Sequence, residues 1–498
     1  MLTTTPLDHD RRWWILSVLC LSALLVVVAN MGLNVALPSI AHDLDASTTS
    51  LAWVVDSYVL CFAGLLLPAG AIGDRFGRKA TLQTGLLVFF AAAVAGAVSH
   101  HTWQLIAART VMGVGAALVT PGTLSILAHV FPPAERAKAI GIWAAVAGGS
   151  VAVSLTWSGF MLEHFWWGSI FLGMAAVAAV AFVLGVFSLP EVRHPDHARV
   201  DVLGAVVSVV AVTGLLHGLI EGPDDGWTSL PVLGAFVIGA LGTVVFGVVE
   251  NRSANPVLDL RSFRERAFTV GSFSIAAAYF ALFGMYFLFA QYLQLVRGYS
   301  AWEAGVHALP AGLAQLVVAT AAKPAVARYG IRSVLTGGLV AAAAGLVVLS
   351  TVDTASGAWV VEAGLGLVGL GIGLTTPSST QAIMSSLPAH RAGIGSAVNN
   401  LVRELGGAFG IGLLGSVTLL RYQDELATAP VTVPDPAFAG LSQALAADSG
   451  SALADVARQA YVTGLDTAMV VGAAIVLASA LACRLLLPTR RALSSQGR

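Results

Sequence analysis

Fourteen apolar runs, each long enough to cross a lipid bilayer, dominate this sequence of 498 residues. A membrane-spanning helix needs about 20 mostly apolar residues. The predicted spans are 13–37, 51–72, 80–98, 103–127, 138–161, 167–188, 201–221, 231–249, 268–292, 303–326, 333–351, 358–385, 394–420 and 463–487. Only 11% of the residues are charged, against about 25% in soluble domains. The chain is therefore predicted to be an all-α integral membrane protein.

Basic residues are distributed unevenly between the two sides of these spans. With the N-terminus inside, 21 of the 26 Lys and Arg residues lie in inner loops and tails, and three lie in outer loops. The positive-inside rule then predicts that both termini lie in the cytoplasm. The bias toward Arg, Ala and Val indicates a GC-rich bacterial genome, so we expect a multi-pass protein of a bacterial inner membrane. The net charge of −1 does not indicate a nucleic-acid partner. The three cysteines fall inside apolar runs, in a spacing that predicts no metal site.

Spans seven and eight differ from the rest because His217 is almost the only polar residue in their interiors. They are predicted to form a lipid-facing hairpin between two six-helix bundles. The expected domains are 1–190 for the first bundle, 191–262 for a cytoplasmic connection and the hairpin, and 263–498 for the second bundle. The long segment 421–462 is expected to be a flexible cover on the outer side.

The inner loop between spans two and three reads Gly70-Ala71-Ile72-Gly73-Asp74-Arg75-Phe76-Gly77-Arg78-Lys79. Its glycines allow two helix ends to approach closely, and Asp74 can pair with an arginine at a neighbouring helix end. A contact of this kind can be made in one conformation and broken in another. The predicted conformational latch comprises Gly70, Gly73, Asp74, Arg75, Gly77, Arg78 and Lys79. The alternative is an ordinary positive inner loop with turn glycines.

This inner loop resembles the signature of the major facilitator superfamily. The stretch from Arg109 to Ala117, Arg109-Thr110-Val111-Met112-Gly113-Val114-Gly115-Ala116-Ala117, is similar to the family's span-four motif. Arg403-Glu404-Leu405-Gly406-Gly407-Ala408 resembles span thirteen of the fourteen-span drug:proton antiporter branch, to which multidrug and quaternary ammonium efflux transporters belong. The resemblance covers nearly the whole chain. It implies two bundles that rock around a midplane cavity.

The sequence departs from that branch at two places. Span one carries Asn30 where the branch usually has an aspartate, and an amide cannot titrate. Span five, from Ala147 to Glu163, has Ser154-Leu155 and Ser158-Gly159 in place of the usual Gly-Pro and Gly-Gly pattern. Both departures weigh against standard proton antiport, but neither affects the fold.

Charged residues inside spans are functional candidates, because each costs at least ~2.5–3.5 kcal/mol to insert. Asp56 and Arg109 are predicted to lie ~8–9 Å below the outer face, at a level similar to that of Asn30. We expect these three side chains to meet inside the first bundle, where Asp56 takes over the acidic role lost at Asn30. A static Asp56–Arg109 pair that only holds the bundle is the alternative.

Glu404 is predicted to lie near the midplane of the membrane. A carboxylate at that depth is a candidate for proton exchange and for attraction of a cationic substrate. We therefore predict a charge relay of Asp56, Arg109 and Glu404. In the alternative, Glu404 pairs with another buried polar group for packing.

Three aromatic residues of span nine, Tyr279, Phe283 and Tyr286, fall on one helical face. Such a face can bind apolar and cationic groups, although packing against lipid or helices explains it equally well. The predicted substrate cavity contains Asn30, Asn34, Asp56, Tyr279, Phe283, Tyr286, Gln315, Asn399, Asn400 and Glu404.

The sequence has neither an ATP-binding loop of the Gly-x4-Gly-Lys-Ser/Thr type nor a His-Glu-x-x-His motif, which argues against a primary pump or an enzyme. We predict a secondary exporter of hydrophobic or amphipathic drugs or metabolites, with cationic compounds among the candidates. The proton gradient is its expected energy source, and no cofactor is expected. A small-molecule substrate and membrane lipid are the expected partners of a monomer. The alternatives are a proton-independent facilitator or lipid-moving transporter of the same fold, and a non-transporting membrane receptor or assembly partner.

Overall fold

A computed structural model describes residues 9–487, with gaps at 47, 193–200, 254–257, 259, 388–391, 430, 432, 435–436, 439 and 448–451. The two termini, which were predicted to be cytoplasmic, lie outside the described residues. Within the described residues the protein is all helical, and fourteen helices are long and apolar enough to cross a membrane. The predicted number of spans is therefore confirmed.

The fourteen helices are numbered here as spans 1 to 14. Their bounds are His9–Met31, Thr48–Phe76, Arg78–Ala97, Thr102–Val130, Pro133–His164, Gly168–Ser188, Val202–Asp225, Leu230–Arg252, Arg266–Gln291, Ala301–Tyr329, Ile331–Leu349, Ala358–Ser385, Ala392–Ala427 and Ala452–Leu486.

Several helix ends differ from the sequence prediction by five or more residues. Span 1 ends at Met31, and the chain continues as a 3-10 helix, Gly32–Ala36, and a short α-helix, Leu37–Leu44. Pro38 lies in the first turn of that short helix, where its missing backbone N–H is tolerated because that group would be unpaired anyway. Span 14 begins eleven residues before the predicted start, since helix propensity extends beyond the apolar window.

The segment 421–462, which was predicted to be a flexible outer cover, is partly helical in its described residues. Span 13 extends into it as far as Ala427, and a short helix, Leu441–Ala447, follows. The Tyr422 hydroxyl donates a hydrogen bond to the Ala437 carbonyl over 3.0 Å. The described part of this segment is therefore tied to the end of span 13.

Spans 1–6 and spans 9–14 form two bundles. In the first, span 4 packs against spans 2 and 3, span 3 against span 6, and span 1 against spans 5 and 6. In the second, span 9 packs against span 13, span 12 against spans 10 and 11, and span 14 against spans 11 and 13. Helices of such bundles approach closely where small residues lie at their crossings.

The two bundles meet along two lines. Spans 5 and 10 run side by side, and Gly149 of span 5 lies against the backbone of Gly312. Near the predicted inner end of this pair, the Lys323 ammonium donates to the carbonyl of Ala134. On the opposite side, span 13 contacts spans 2 and 4.

The inserted hairpin of spans 7 and 8 contacts both bundles through span 7. Gly64 of span 2 faces Thr213, and Gly412 of span 13 faces the carbonyl oxygen of Leu219. Span 8 presents exposed apolar side chains on its outer surface, which fits the predicted lipid-facing position; these include Leu233, Val237, Ile238, Leu241, Val244 and Val248. The hairpin therefore lies over the groove between spans 2 and 13.

Candidate functional site

Glycines of span 13 bring that helix close to span 9. A Cβ atom at Gly406 would collide with the carbonyl oxygen of Ala276, and one at Gly410 would collide with that of Phe280. Because both positions are glycine, the two backbones can touch. Arg403 and Glu404 lie three and two residues before Gly406, so the same helix contact helps to position them.

Glu404 links the two bundles. Its carboxylate accepts a hydrogen bond of 3.2 Å from the side-chain amide of Asn30 in span 1. Asn30 was expected to meet Asp56 and Arg109 inside the first bundle, but its hydrogen bond goes instead to the second bundle. The carboxyl group that span 1 lacks is thus present opposite it, on span 13.

Arg403 lies close to two aromatic rings. Its guanidinium carbon is 4.3 Å from the ring centroid of Tyr279 and 5.8 Å from that of Trp143. The guanidinium donates a hydrogen bond of 3.2 Å to the side-chain oxygen of Asn400, whose own amide nitrogen donates to the Ser396 carbonyl. Trp143 belongs to span 5 and the other three side chains to the second bundle, so this group also spans the interface.

Further polar side chains surround this group in the second bundle. The Thr380 hydroxyl donates a hydrogen bond of 3.0 Å to Asn399, and Thr376 lies beside the Tyr279 hydroxyl. Gln315 of span 10 lies against the open face of Gly148 in span 5. The side chains of Thr376, Thr380, Asn399 and Gln315 are almost fully buried. The predicted cavity residues Tyr279, Gln315, Asn399 and Asn400 therefore lie in the contact region of the bundles.

Arg109 forms hydrogen bonds to two other helices of the first bundle. Its fully buried guanidinium donates to the carbonyls of Val54 in span 2, over 3.0 Å, and Ala29 in span 1, over 2.7 Å. It also lies 4.3 Å from the ring centroid of Tyr58. These hydrogen bonds join spans 1, 2 and 4, so the arginine stabilises the packing of the three helices.

Asp56 is the acidic residue of the first bundle that lies near this arginine. Asp56 is buried in span 2, close enough for its charge to act on Arg109. Tyr58 lies near both Arg109 and Glu404, so these three side chains occupy the same region of the molecule. The side chain of Asn34, the remaining polar candidate, lies outside the described part of the chain.

The aromatic residues on one face of span 9 pack in two different environments. Phe283 contacts Tyr279 edge to face, with 5.5 Å between the ring centroids. Tyr286 points toward span 10, where its hydroxyl is 3.5 Å from the Ala308 carbonyl. It lines a crevice with Leu155 and Gln294. The stripe is therefore buried between helices, not exposed to lipid.

The serines of span 5 pack against span 1. The Ser154 hydroxyl donates a hydrogen bond of 3.3 Å to the Val28 carbonyl. Gly32 lies so close to Ser154 and Ser158 that an added Cβ would collide with the Ser158 hydroxyl. Close contact between spans 1 and 5 thus survives the loss of the family's usual Gly-Pro pattern.

The inner loop forms an ion pair within the first bundle. Arg78 approaches Asp74 with an N···O distance of 2.9 Å and also donates toward the Ser125 carbonyl of span 4. Gly70 and Gly73 line the crevice that holds these side chains. This ion pair joins the ends of spans 2 and 3.

The remaining residues of the loop have separate contacts. Gly77 adopts a φ of 109°, a conformation that favours glycine. The Lys79 ammonium donates to the Val186 carbonyl at the end of span 6 over 2.7 Å. Arg75 is exposed and lies over the ring of Phe76. Arg78 and Lys79, both at the start of span 3, therefore connect this helix to spans 2, 4 and 6 of the same bundle.

Two side chains that make contacts between helices were not singled out from the sequence. Trp143 is almost fully buried, and nothing in its local sequence indicates that it meets Arg403. His307 of span 10 contacts Glu362 of span 12 over 2.8 Å. Such partners are far apart in the chain, so periodicity within one helix could not identify them.

Comparison with known proteins agrees with this architecture. The model of the Major Facilitator Superfamily matches residues 19–411. The multidrug efflux pump LfrA of Mycolicibacterium smegmatis is 32% identical over 488 residues, covering 96% of each chain. The methyl viologen resistance protein SmvA of Salmonella typhimurium is 31% identical over 472 residues, covering 92% of this chain and 95% of its own.

A solved structure supports the fold independently. The crystal structure of a human organic anion transporter superposes with a TM-score of 0.62 at 15% identity, covering 96% of this chain and all of the other. The family match extends over most of the chain and both relatives match it over nearly their full length. The chain therefore belongs to the major facilitator superfamily of membrane transporters.

Proposed function

We propose that this protein exports hydrophobic or amphipathic small molecules, cationic compounds included, and that proton exchange at Glu404 drives the cycle. The observation that carries the proposal is the Asn30–Glu404 hydrogen bond between the bundles. Protonation of the carboxylate removes its charge and changes the strength of this contact, since hydrogen bonds to a charged group are stronger. A proton at Glu404 would thereby alter how firmly the two bundles hold together.

The surroundings of Glu404 support a coupled system of charges. Arg403 is adjacent in the chain, Tyr58 lies near both Glu404 and Arg109, and Asp56 lies near Arg109. A buried carboxylate, a buried arginine and a second buried carboxylate in one network are expensive to place in a membrane interior. Asp56 is therefore the second candidate for a proton-binding group.

The relatives support export as the direction of transport. LfrA is named as a multidrug efflux pump, and SmvA as a methyl viologen resistance protein. A 29% identical protein of Streptomyces glaucescens is named for tetracenomycin C resistance and export. These are chemically different compounds, so a broad apolar cavity suits this chain better than a site for one molecule.

We further propose that the protein works as a monomer in a bacterial plasma membrane, with both termini in the cytoplasm. The excess of basic residues in the predicted inner loops supports this orientation. The contacts between the bundles are provided within one chain, which supports the monomer. Lipid is the expected neighbour of the exposed apolar surface of span 8.

Purified protein in liposomes tests the mechanism. A fluorescent amphiphile such as ethidium is enclosed in liposomes that contain the protein. Its movement across the membrane is recorded with and without an imposed pH gradient. We expect gradient-driven transport by the unmodified protein and its loss in Glu404→Gln, which keeps a hydrogen-bond acceptor for Asn30 but cannot ionise. Asp56→Asn tests the second candidate in the same way.

Each other result identifies a different function. Equal transport with and without the gradient would contradict proton coupling and identify a facilitator. Movement of a fluorescent phospholipid in place of ethidium would identify a lipid-moving protein. Failure to move any amphiphile would favour a receptor or assembly partner. Glu362→Gln, at the start of span 12, is the control for removal of a carboxylate elsewhere.

A further inference from the structure

The guanidinium of Arg403 packs near aromatic rings, but not all of its N–H groups are hydrogen-bonded within the described residues. The rings of Tyr279 and Trp143 lie 4.3 and 5.8 Å from its central carbon. One of its terminal N–H groups donates a hydrogen bond to Asn400, and its buried Nε atom has no hydrogen-bond partner among the described residues. Aromatic contacts of this kind leave the N–H groups at the edge of the guanidinium available to bind an acceptor.

Neighbouring side chains present further unused donors. The indole N–H of Trp143 and the side-chain amide nitrogen of Asn399 are buried, and neither has a hydrogen-bond partner in the described part of the chain. Asn399 lies one helical turn before Arg403, on the same side of span 13. These atoms can only donate hydrogen bonds, so three unused donors come from adjoining side chains.

Leaving such groups unpaired is costly. A buried polar group without a partner costs about 1–3 kcal/mol, and more when it is charged. Arg403 is only 5% exposed, and no carboxylate in the described residues lies within ion-pair distance of it. Glu404 is next in the chain, but its carboxylate is hydrogen-bonded to Asn30. A ligand that brings oxygen acceptors would satisfy these donors.

From this donor set we infer that Arg403, Trp143 and Asn399 form a subsite for an acidic oxygen group, a carboxylate, on an amphipathic aromatic substrate. This rests on the proposed exporter function and specifies its substrates further. The guanidinium edge binds the carboxylate oxygens, and Trp143 and Asn399 add hydrogen bonds from both sides. Because Trp143 belongs to the first bundle and Arg403 to the second, a bound carboxylate contacts both moving parts.

Two dyes isolate the contribution of the carboxylate. Rhodamine 110 carries a free carboxylate, and rhodamine 123 is its methyl ester with the same cationic ring system. Any attraction of the ring system to Glu404 is therefore the same for both dyes. Binding is measured by fluorescence anisotropy at pH 7, with the full-length protein in lipid nanodiscs and without a pH gradient. We expect rhodamine 110 to bind about tenfold more tightly than rhodamine 123.

Substitution of the arginine locates the preference. Arg403→Gln should weaken binding of rhodamine 110 by about tenfold or more and change that of rhodamine 123 by less than about twofold. Arg403→Lys keeps the charge but loses the planar donor edge, so it should restore part of the preference. Arg458→Gln removes an arginine outside the bundle contacts, which pairs with Asp455, and should affect neither dye.

Several outcomes would overturn the inference. Equal weakening of both dyes in Arg403→Gln would mean that the arginine only supports the helix packing. An unmodified protein that shows no preference for the acid, or that binds neither dye, would contradict the subsite directly, even if a variant fails to fold. The proposed function fails differently, because loss of gradient-driven transport with an intact preference for rhodamine 110 would leave the subsite standing.

Discussion

The side-chain amide of Asn30 donates a hydrogen bond of 3.2 Å to the carboxylate of Glu404, across 374 positions of the chain. The bond connects span 1 to span 13 and therefore one bundle to the other. The sequence departs from its family at Asn30, and the structure shows that the partner of this residue is an acid. An amide and a carboxylate form a stable pair here, whereas two ionised carboxylates would repel each other.

Replacing that amide by an acid tests the relationship. In Asn30→Asp two carboxyl groups would lie about as close as the present pair, so they cannot both ionise easily and should share a proton. We expect the midpoint of the pH dependence of dye efflux to move to higher pH. Asn30→Ser, which adds no charge, is the control. An unchanged pH profile in Asn30→Asp would contradict the placement of Glu404 beside it.

The inner loop offers two arginines in contrasting settings. Arg78 is buried and paired with Asp74, whereas Arg75 is exposed and lies over Phe76. Arg78→Ala leaves Asp74 without this partner and should lower the free energy of unfolding by about 1–3 kcal/mol. Arg75→Ala should change it by less than about 0.5 kcal/mol. Thermal unfolding of the purified variants measures both, and equal effects would argue against the ion pair.

The crossing of spans 9 and 13 depends on the absence of a side chain at Gly410. A Cβ atom there would collide with the carbonyl oxygen of Phe280, so Gly410→Ala should destabilise the protein by about 1–3 kcal/mol. Gly366 of span 12 has no neighbouring atom within 4 Å of the same position. Gly366→Ala should therefore be neutral or stabilising by up to about 1 kcal/mol, because alanine favours the helix. Chemical unfolding followed by circular dichroism compares the two.

A side-chain hydrogen bond connects the turn between spans 7 and 8 to the second bundle. The indole N–H of Trp227 donates to the Ser416 hydroxyl over 2.8 Å. Trp227→Phe keeps a ring next to Phe236 but removes the donor, and should cost about 1 kcal/mol. We expect faster amide hydrogen exchange in spans 7 and 8, measured by mass spectrometry. Ser416→Ala should produce the same change, and combining the two substitutions should add little. Unchanged exchange in both single variants would mean that the hairpin is held by its apolar contacts alone.

The number and positions of the spans could be predicted because they depend on local properties. A helix that crosses a membrane requires a continuous apolar run, and the run is visible in the sequence. Helix ends were less accurate, since span 14 continues beyond the apolar window to Ala452. The inner-loop residues Asp74 and Arg78 could also be selected, because they lie four positions apart and need no distant partner.

The partners of the buried polar residues could not be predicted in the same way. Asn30 was expected to join Asp56 and Arg109 because depth along a helix can be estimated from residue number. Depth does not specify which face of a helix meets which neighbour, however. The glycines at 406 and 410 allow span 13 to touch span 9, and this contact places Arg403 beside Tyr279. Trp143 approaches the same guanidinium from span 5.

The sequence by itself determined that this protein is a fourteen-span membrane protein that resembles the major facilitator family, because apolar length, basic residues in loops and short motifs are all local. Only the tertiary structure decided that Glu404 meets Asn30 and that Arg403 meets Trp143. The physical reason is that the bundles come together through small residues at helix crossings, and such contacts join residues separated by hundreds of positions.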